Sequence, residues 1–384
     1  MVTVRAMQKK QKTPEKPEKT VKGENTTLKR KWRYWRVESS ISCNLNCEMC
    51  PWERDLRSVA GKGIMSEETW GAVAKNLGDI EQIEFSGGSQ GGFNENLPAW
   101  ISTAASAGCK VGLLTRGELL TPDTITGILS AGLNWVTIPV DGATPQLYER
   151  FVRGVRYNRL IENIKNLVEK SQANSVLVNI NYIVSSENIY QLPEITRLFA
   201  DIGIDRLNFR HCDEIRYDRE KRAGLTFGGD RKLLNYYEKE IAHAFRAAKK
   251  KKIEVTSFPF RPEELPVCSK DPRDSLFIRS DGIAAPCISA AYGGRTAFLG
   301  TEVFMPTVHY GNINRSDVED LWQSGKCMYL RNVFDEREKS YSQAVQSMDS
   351  RASILRFKSE MKSALNTIPA APEWCRSCHY LYGI

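Results

Sequence analysis

Trp35-Arg36-Val37-Glu38-Ser39-Ser40-Ile41 runs directly into Ser42-Cys43-Asn44-Leu45-Asn46-Cys47-Glu48-Met49-Cys50-Pro51. The first segment reads as a β-strand. The second places three cysteines at C-x3-C-x2-C spacing on the loop that follows it. Three thiolates this close together wrap three corners of a cubane iron–sulfur cluster and leave the fourth iron without a protein ligand. An iron with an open position binds a substrate or cofactor, as an open metal site does in catalysis. A loop after a strand is also where a βα barrel places its chemistry. The competing readings are a zinc knuckle and buried free thiols. Zinc asks for a fourth ligand nearby, whereas the chain has four His and none between Cys50 and Trp70.

Working outward, 384 residues suffice for one large domain with a smaller one, or for a barrel with an extension. Hydrophobic residues make up 41% and charged residues 26%, as in an ordinary globular protein. No apolar run reaches the length of a transmembrane helix, and the N-terminus has no apolar signal core. These features predict a cytoplasmic protein with no membrane partner. Ten cysteines then point to metal or redox chemistry rather than disulfides. The net charge of +8 is concentrated at one end. Residues 1–36 hold twelve Lys/Arg against three Asp/Glu, which leaves the remainder with 42 against 43. Residues 1–33 read as a basic, solvated tail with too little apolar content to fold. No basic stripe with interleaved aromatics continues beyond it, so no nucleic-acid partner is expected.

From Trp35 onward, short β-rich runs alternate with amphipathic helices, which argues for parallel βα units. The pattern predicts strands near 34–40, 80–86, 110–115, 134–140, 176–184 and 204–210. Helices are predicted near 66–77, 97–107, 121–131, 158–171 and 190–201. A long helix over 229–251 ends in Lys249–Lys252, and strand-like Ile253-Glu254-Val255-Thr256 follows. The expected architecture is α/β: a partial (βα)6 TIM-like barrel over 34–255, with a small α+β domain over 256–384. Residues 333–367 read as helical, with Ile354, Phe357, Met361 and Leu365 at helical spacing.

The cysteine motif and its setting resemble the radical S-adenosylmethionine (SAM) superfamily. That resemblance implies a [4Fe–4S] cluster on Cys43, Cys47 and Cys50, whose open iron chelates the amino and carboxylate groups of SAM. Several turns match the family in order, each after a strand. Gly87, Gly88 and Ser89 stand where Gly-Gly-Glu is usual, with Ser replacing Glu. Thr115-Arg116-Gly117 stands for Thr-Asn-Gly, and Pro139-Val140-Asp141-Gly142 for Ser-Leu-Asp-Gly. Tyr148–Gly154 contains the Arg153-Gly154 element, and Asn188 ends the fifth strand's motif. The resemblance therefore assigns Gly87, Gly88, Ser89, Thr115, Asp141, Arg153 and Asn188 to SAM, with Arg210 a candidate for SAM or substrate. Cys212, just past the sixth strand, is a candidate hydrogen donor. Cys109 reads as packing.

A second cysteine set lies C-terminal. Cys268, thirteen residues, Gly282, four residues and Cys287 fit the C-x(9–15)-G-x4-C pattern of SPASM and twitch extensions. Leu276–Ala284 reads as a hairpin with an Asp281-Gly282 turn. Cys375-x2-Cys378 completes four ligands for an auxiliary [4Fe–4S] cluster. The next SPASM ligand would fall at Ile384, so one auxiliary cluster is expected, as in the twitch variant. Zinc at Cys375 and Cys378, or buried thiols at Cys268 and Cys287, are the alternatives. Cys327 reads as packing. The resemblance implies an oxidoreductase that cleaves SAM to a 5′-deoxyadenosyl radical, fed by a low-potential donor such as flavodoxin or ferredoxin. Its substrate would be a peptide or protein, or a small molecule such as an aminoglycoside-type sugar. A noncatalytic iron–sulfur scaffold or maturation protein is the alternative, and the departures at Ser89, Arg116 and Pro139 support it.

Overall fold

The computed structural model describes residues 30–43, 45–48, 50, 63–86, 94–211, 231–260, 262–299, 301–346 and 354–384. Its centre is six parallel strands: β1 (Trp32–Val37), β3 (Ile80–Phe85), β4 (Lys110–Leu114), β5 (Trp135–Val140), β7 (Leu177–Val184) and β8 (Arg206–His211). They neighbour one another in chain order. Two-residue strands β2 (Asn46–Cys47) and β6 (Val152–Arg153) pair only with each other. Helices α1 (Glu67–Ala74), α2 (Leu97–Ser106), α3 (Pro122–Ser130), α4 (Pro145–Phe151), α5 (Tyr157–Asn174), α6 (Leu192–Ile202) and α7 (Arg231–Lys251) connect them. This is the partial (βα)6 barrel that the alternating pattern predicts, with strand limits displaced by only a few residues. The short α4 was not anticipated.

Local signals start and stop the helices where expected. Ser66 caps α1 by accepting from the Thr69 N–H at 3.2 Å, and Thr121 caps α3 through Thr124 N–H. Proline opens α3, α4 and α6, where its missing N–H costs nothing. Gly203 ends α6 at φ +90°, a left-handed conformation that glycine adopts without strain.

The sheet does not stop at six strands. β9 (Glu254–Thr256) adds beyond β8, and β10 (Ser275–Ile278) adds parallel beside β1. β11 (Ile283–Ala285) returns antiparallel from β10, and β14 (Gly311–Asn312) lies outside it. The second cysteine region is thus built onto the barrel's first strand. The rest of this region is α8 (Ile288–Tyr292), the hairpin β12 (Gly294–Phe298) and β13 (Thr301–Met305), α9 (Val318–Trp322), α10 (Gly325–Gln346) and α11 (Ile354–Thr367). The helical reading of 333–367 falls on α10, which begins already at Gly325, and on α11, and residues 347–353 between them lie outside the described residues. Hairpin β12–β13 and α8 carry no strong local pattern and were not expected.

Alternation along each strand decides which side chains face the helices. Trp35 and Val37 of β1 are buried on one face, while Tyr34 and Arg36 line the concave side, and Trp32 at the start of the strand is buried too. Trp32 meets Trp35 edge-on at 5.2 Å and Trp322 of α9 at 5.9 Å, so one core spans both regions. Each such indole removes about 150–250 Å² from water, on the order of 4–6 kcal/mol of gross transfer free energy. No helix among the described residues is long and apolar enough to cross a membrane.

The concave side is tightly filled at one point. Trp135 lies across Gly112, where an added Cβ would fall 2.0 Å from the indole Cε2. Gly112→Ala must therefore displace a ring from between two strands. It is expected to lower stability by about 1–3 kcal/mol, read as a lower denaturant midpoint with unchanged slope.

Candidate functional site

The cysteine loop is fastened at both ends. Ile41 and Ser42 N–H groups donate to Gly63 O at 2.6 and 3.3 Å, closing a loop whose residues 51–62 lie outside the described residues. Gly63 sits at φ +65°, and an added Cβ would meet Ile41 Cγ2 at 2.6 Å, so a side chain there would open the base of the loop. Cys47 lies in β2, paired opposite Val152 of β6, and Glu48 N–H donates to Phe151 O at 2.7 Å. Phe151 and Val152, just before the Arg153-Gly154 element, therefore hold the middle cysteine. The Arg153 side chain is exposed and lies 4.0 Å from Glu48.

Burial pushes the Cys47 thiol up to about 12, Arg116 pulls it down, and Asp141, Cys50 and Cys43 push it further up. All three thiols of the motif thus feel one another in one weakly hydrated place. Free thiolates are costly there. A metal cluster that shares their charge removes that cost, and the Arg116 guanidinium stands beside it. The donor set fits an iron–sulfur cluster held by Cys43, Cys47 and Cys50.

Arg116 forms an ion pair with Asp141 at the ends of β4 and β5. Burial works against the Arg116 charge, but Asp141 and Cys47 outweigh it and hold it protonated. Thr115 is buried, and its Oγ1 accepts from Gly117 N–H at 3.3 Å. Asn188 is fully buried, with its amide spent on backbone. Nδ2 donates to Asp141 O at 2.8 Å and Ile183 O at 2.7 Å, while Oδ1 accepts from Ser185 N–H at 2.8 Å. It ties the end of β5 to that of β7. Thr115, Arg116, Asp141 and Asn188 thus form one strand-end layer next to the cysteine loop. Gly87, Gly88, Ser89 and Cys212 lie outside the described residues.

The second set converges as well. Cys268, Cys287, Cys375 and Cys378 line one cavity with about 360 Å³ of empty space, walled by Pro272, Met305, Leu330, Phe334 and Trp374. Burial raises the Cys375 thiol well above its ordinary value, and Cys268, Cys287 and Cys378 raise it further while Arg337 lowers it. Burial raises the Cys268 thiol while the backbone of Lys270 and Asp271 lowers it, and Cys287 Sγ accepts from Ala290 N–H at 3.5 Å. Thiolates that receive backbone N–H bonds in an apolar wall fit a cluster site. Among the described residues, no three His, Cys, Asp or Glu groups close around a single metal ion. Cys109 and Cys327 stay apart from both sets. The Cys109 thiol donates to Leu77 O and Ile80 O at the start of β4, and Cys327 is buried in α10.

A larger cavity, about 770 Å³ counted to its open mouth, lies on the concave side. Tyr34, Arg36, Gln82 and Arg210 line it from the barrel strands, and Lys270, Pro286 and Cys287 line both it and the four-thiol cavity. Arg36 Nε donates to Glu84 at 2.9 Å, and Trp135 Nε1 donates to the other carboxylate oxygen at 3.4 Å. Burial works against the Glu84 charge, but Arg36 and these hydrogen bonds hold the carboxyl below its ordinary range. Asn208 Nδ2 donates to Asn181 Oδ1, and Thr256 Oγ1 donates to Asn208 Oδ1. The barrel interior is thus polar and preorganised.

Two positioning residues escaped the sequence reading. Glu38, fully buried just past β1, accepts from Tyr292 O–H at 2.5 Å and from Ser280 N–H and Oγ at 3.1 Å. It joins the approach to Cys43 to the β10–β11 turn and to α8, which starts at Cys287. Arg337 of α10, also fully buried, donates to Leu265 O and Pro266 O at 2.9 Å, to Glu264 at 2.7 Å, and to Pro369 O. The sequence signal for Glu38 is a charge directly after an apolar strand end, and for Arg337 its helical spacing from Leu330 and Phe334.

Known proteins bear on this geometry. Residues 37–199 match the Radical SAM superfamily, and residues 268–345 match an iron-sulfur cluster-binding domain, SPASM. A tungsten-containing aldehyde ferredoxin oxidoreductase cofactor-modifying protein of Pyrococcus furiosus is 23% identical over 313 residues, 78% of this chain and 83% of its own. The PqqA peptide cyclase of Bradyrhizobium diazoefficiens is 28% identical over 195 residues, 49% of each chain. Streptococcus suis SuiB bound to S-adenosylmethionine shares the fold, with TM-score 0.58 at 15% identity over 79% of this chain and 68% of that one.

Proposed function

We propose, for a chain that belongs to the radical SAM superfamily and carries a SPASM iron–sulfur extension, that it oxidatively modifies an unactivated C–H position of a substrate held in the barrel interior. The observation that carries this reading is a three-thiol loop at the strand ends of a barrel whose polar cavity shares Lys270, Pro286 and Cys287 with a separate four-thiol cavity. The [4Fe–4S] cluster, when bound, supplies one electron to SAM, which divides into methionine and a 5′-deoxyadenosyl radical that takes a hydrogen atom from substrate. Cys43, Cys47 and Cys50 would hold that cluster, and Cys268, Cys287, Cys375 and Cys378 the auxiliary one.

The remaining roles belong to side chains in place. Arg116 offsets negative charge at the first site and is itself held by Asp141. Asn188 fixes the Asp141 loop against β7. Tyr34, Arg36 and Gln82 present fixed polar groups to a substrate. Such preorganisation orients a reacting C–H bond more than it binds it. The wall shared with the second thiol set suits a net oxidation, since a substrate there lies beside a second redox site.

In this reading, residues 34–255 are the barrel and 256–384 the auxiliary part. Gly87, Gly88, Ser89, Thr115 and Arg153 would serve SAM, and Cys212 the substrate. A flavodoxin or ferredoxin supplies electrons, and the thiol-rich chain works in the reducing cytoplasm. One relative is a peptide cyclase and another a cofactor-modifying protein. A peptide side chain and a compact small molecule both suit the polar lining of this cavity. The test uses reconstituted, reduced protein given SAM. Release of 5′-deoxyadenosine is expected, and a scaffold that binds iron but releases none would overturn the reading.

A further inference from the structure

The walls of the concave cavity are strongly asymmetric in charge. Arg33, Arg36, Arg210 and Lys270 line it, and none of its described lining residues is Asp or Glu. Arg33 Nε lies 3.0 Å from Asp274, Arg36 lies 2.9 Å from Glu84, and Lys270 also acts on the Glu84 charge. Arg210, exposed near the end of β8, meets no carboxylate among the described residues. It shares the cavity with residues of β1 and β10, whereas β8 lies near the opposite edge of the sheet. It therefore projects across the seam of the open barrel. Lys270 stands on the far wall, its ammonium 4.1 Å from the Tyr380 ring centroid.

We propose that this cavity is an anion site, in which Arg210, with Lys270 facing it, receives a carboxylate or phosphate group of the substrate. The proposal rests on the radical SAM reading and adds the chemical class of the substrate. A planar guanidinium offers two parallel N–H donors that match either oxyanion. Low-dielectric walls focus the field of the cations and raise the local concentration of an anion. Seating the anion here leaves the rest of the substrate beside Cys287 and places it in the polar interior of the barrel.

The experiment titrates the reconstituted full chain with inorganic phosphate and, separately, with glutarate, by calorimetry. Saturable binding of at least one is expected. Tighter phosphate binding assigns the site to a phosphorylated substrate, and tighter glutarate binding to a carboxylate-bearing one. Arg210→Gln and Lys270→Gln should each weaken that binding roughly tenfold or more. A second basic groove, between α6 and α7, provides the control. It is lined by Arg197, Arg246, Lys250 and Lys251, so Arg246→Gln should leave the affinity within about twofold. If Arg210→Gln does not fold, Arg210→Lys keeps the charge without the paired donors and should still weaken binding measurably. Absence of saturable binding to the wild-type chain, unchanged affinity in the Arg210 and Lys270 variants, or loss on Arg246→Gln instead would overturn the proposal. Release of 5′-deoxyadenosine by the same wild-type sample reports separately on the reading beneath it.

Discussion

Reconstituted Cys47→Ala protein is expected to release no 5′-deoxyadenosine from SAM and to hold about half of the wild-type iron. Cys47 is the middle ligand and the most buried of its trio, fixed in β2 by pairing with β6. Alanine keeps that backbone pairing but removes one of three corners, and two thiols do not retain a cubane against water. The four-thiol cavity is untouched, so the other half of the iron remains. Cys109→Ala is the matched control. It removes an equally buried thiol at the start of β4, with a packing cost but full iron. Iron content by colorimetry and nucleoside release by chromatography read the two outcomes. Full iron in Cys47→Ala, or continued release, would show that another group completes the first site.

Arg337→Met should give the complementary pattern. Methionine fills comparable volume but donates nothing, leaving the acceptors at Glu264, Leu265, Pro266 and Pro369 without their cation. Hydrogen bonds from a charged donor contribute about 1.5–3 kcal/mol each, so a loss of roughly 3 kcal/mol is expected, since Glu264 and Pro369 retain some access to water. These acceptors sit on the two segments that lead into Cys268 and into Cys375 and Cys378. Their release should therefore empty the auxiliary site before it unfolds the barrel. Iron is expected to fall to about half, while the paramagnetic signal of the first cluster still responds to SAM. Arg337→Lys restores one charged donor and should recover part of the lost iron. Full iron in Arg337→Met would mean that the two segments hold their positions without the clamp.

Much of this architecture was legible in local patterns. Parallel strands buried behind helices read as short apolar runs, and the helices between them show 3.6-residue periodicity. Both signals lie within about fifteen residues, which is why the six βα units matched. The Asp281-Gly282 turn was legible for the same reason: Gly282 adopts φ +86°, a conformation that favours glycine in that turn. Hairpin β12–β13 was not, because its strands mix Gly, Arg, Thr and Glu with apolar residues in no clear alternation.

The candidate site divides the same way. C-x3-C-x2-C and the four later cysteines declare a metal donor set because ligand identity and short spacing are chemical facts of the chain. The family turns after β4, β5 and β7 were found by their order, yet their work was not. Asn188 also ties the end of β5 to that of β7, and β6 (Val152–Arg153) also pairs with the cysteine loop.

Sequence alone thus determined the alternation of elements, the soft thiol ligands and their grouping into a trio and a quartet. Only the tertiary structure decided that the quartet's region extends the sheet at β1 and that both cavities share one wall. It also decided that Glu38 and Arg337 hold the thiol-bearing segments, through partners 242 and roughly 70 residues away. The physical reason is range. Periodicity and ligand spacing are set by neighbours a few bonds apart, whereas a buried charge finds its acceptors, and a cavity its walls, only once distant segments have packed.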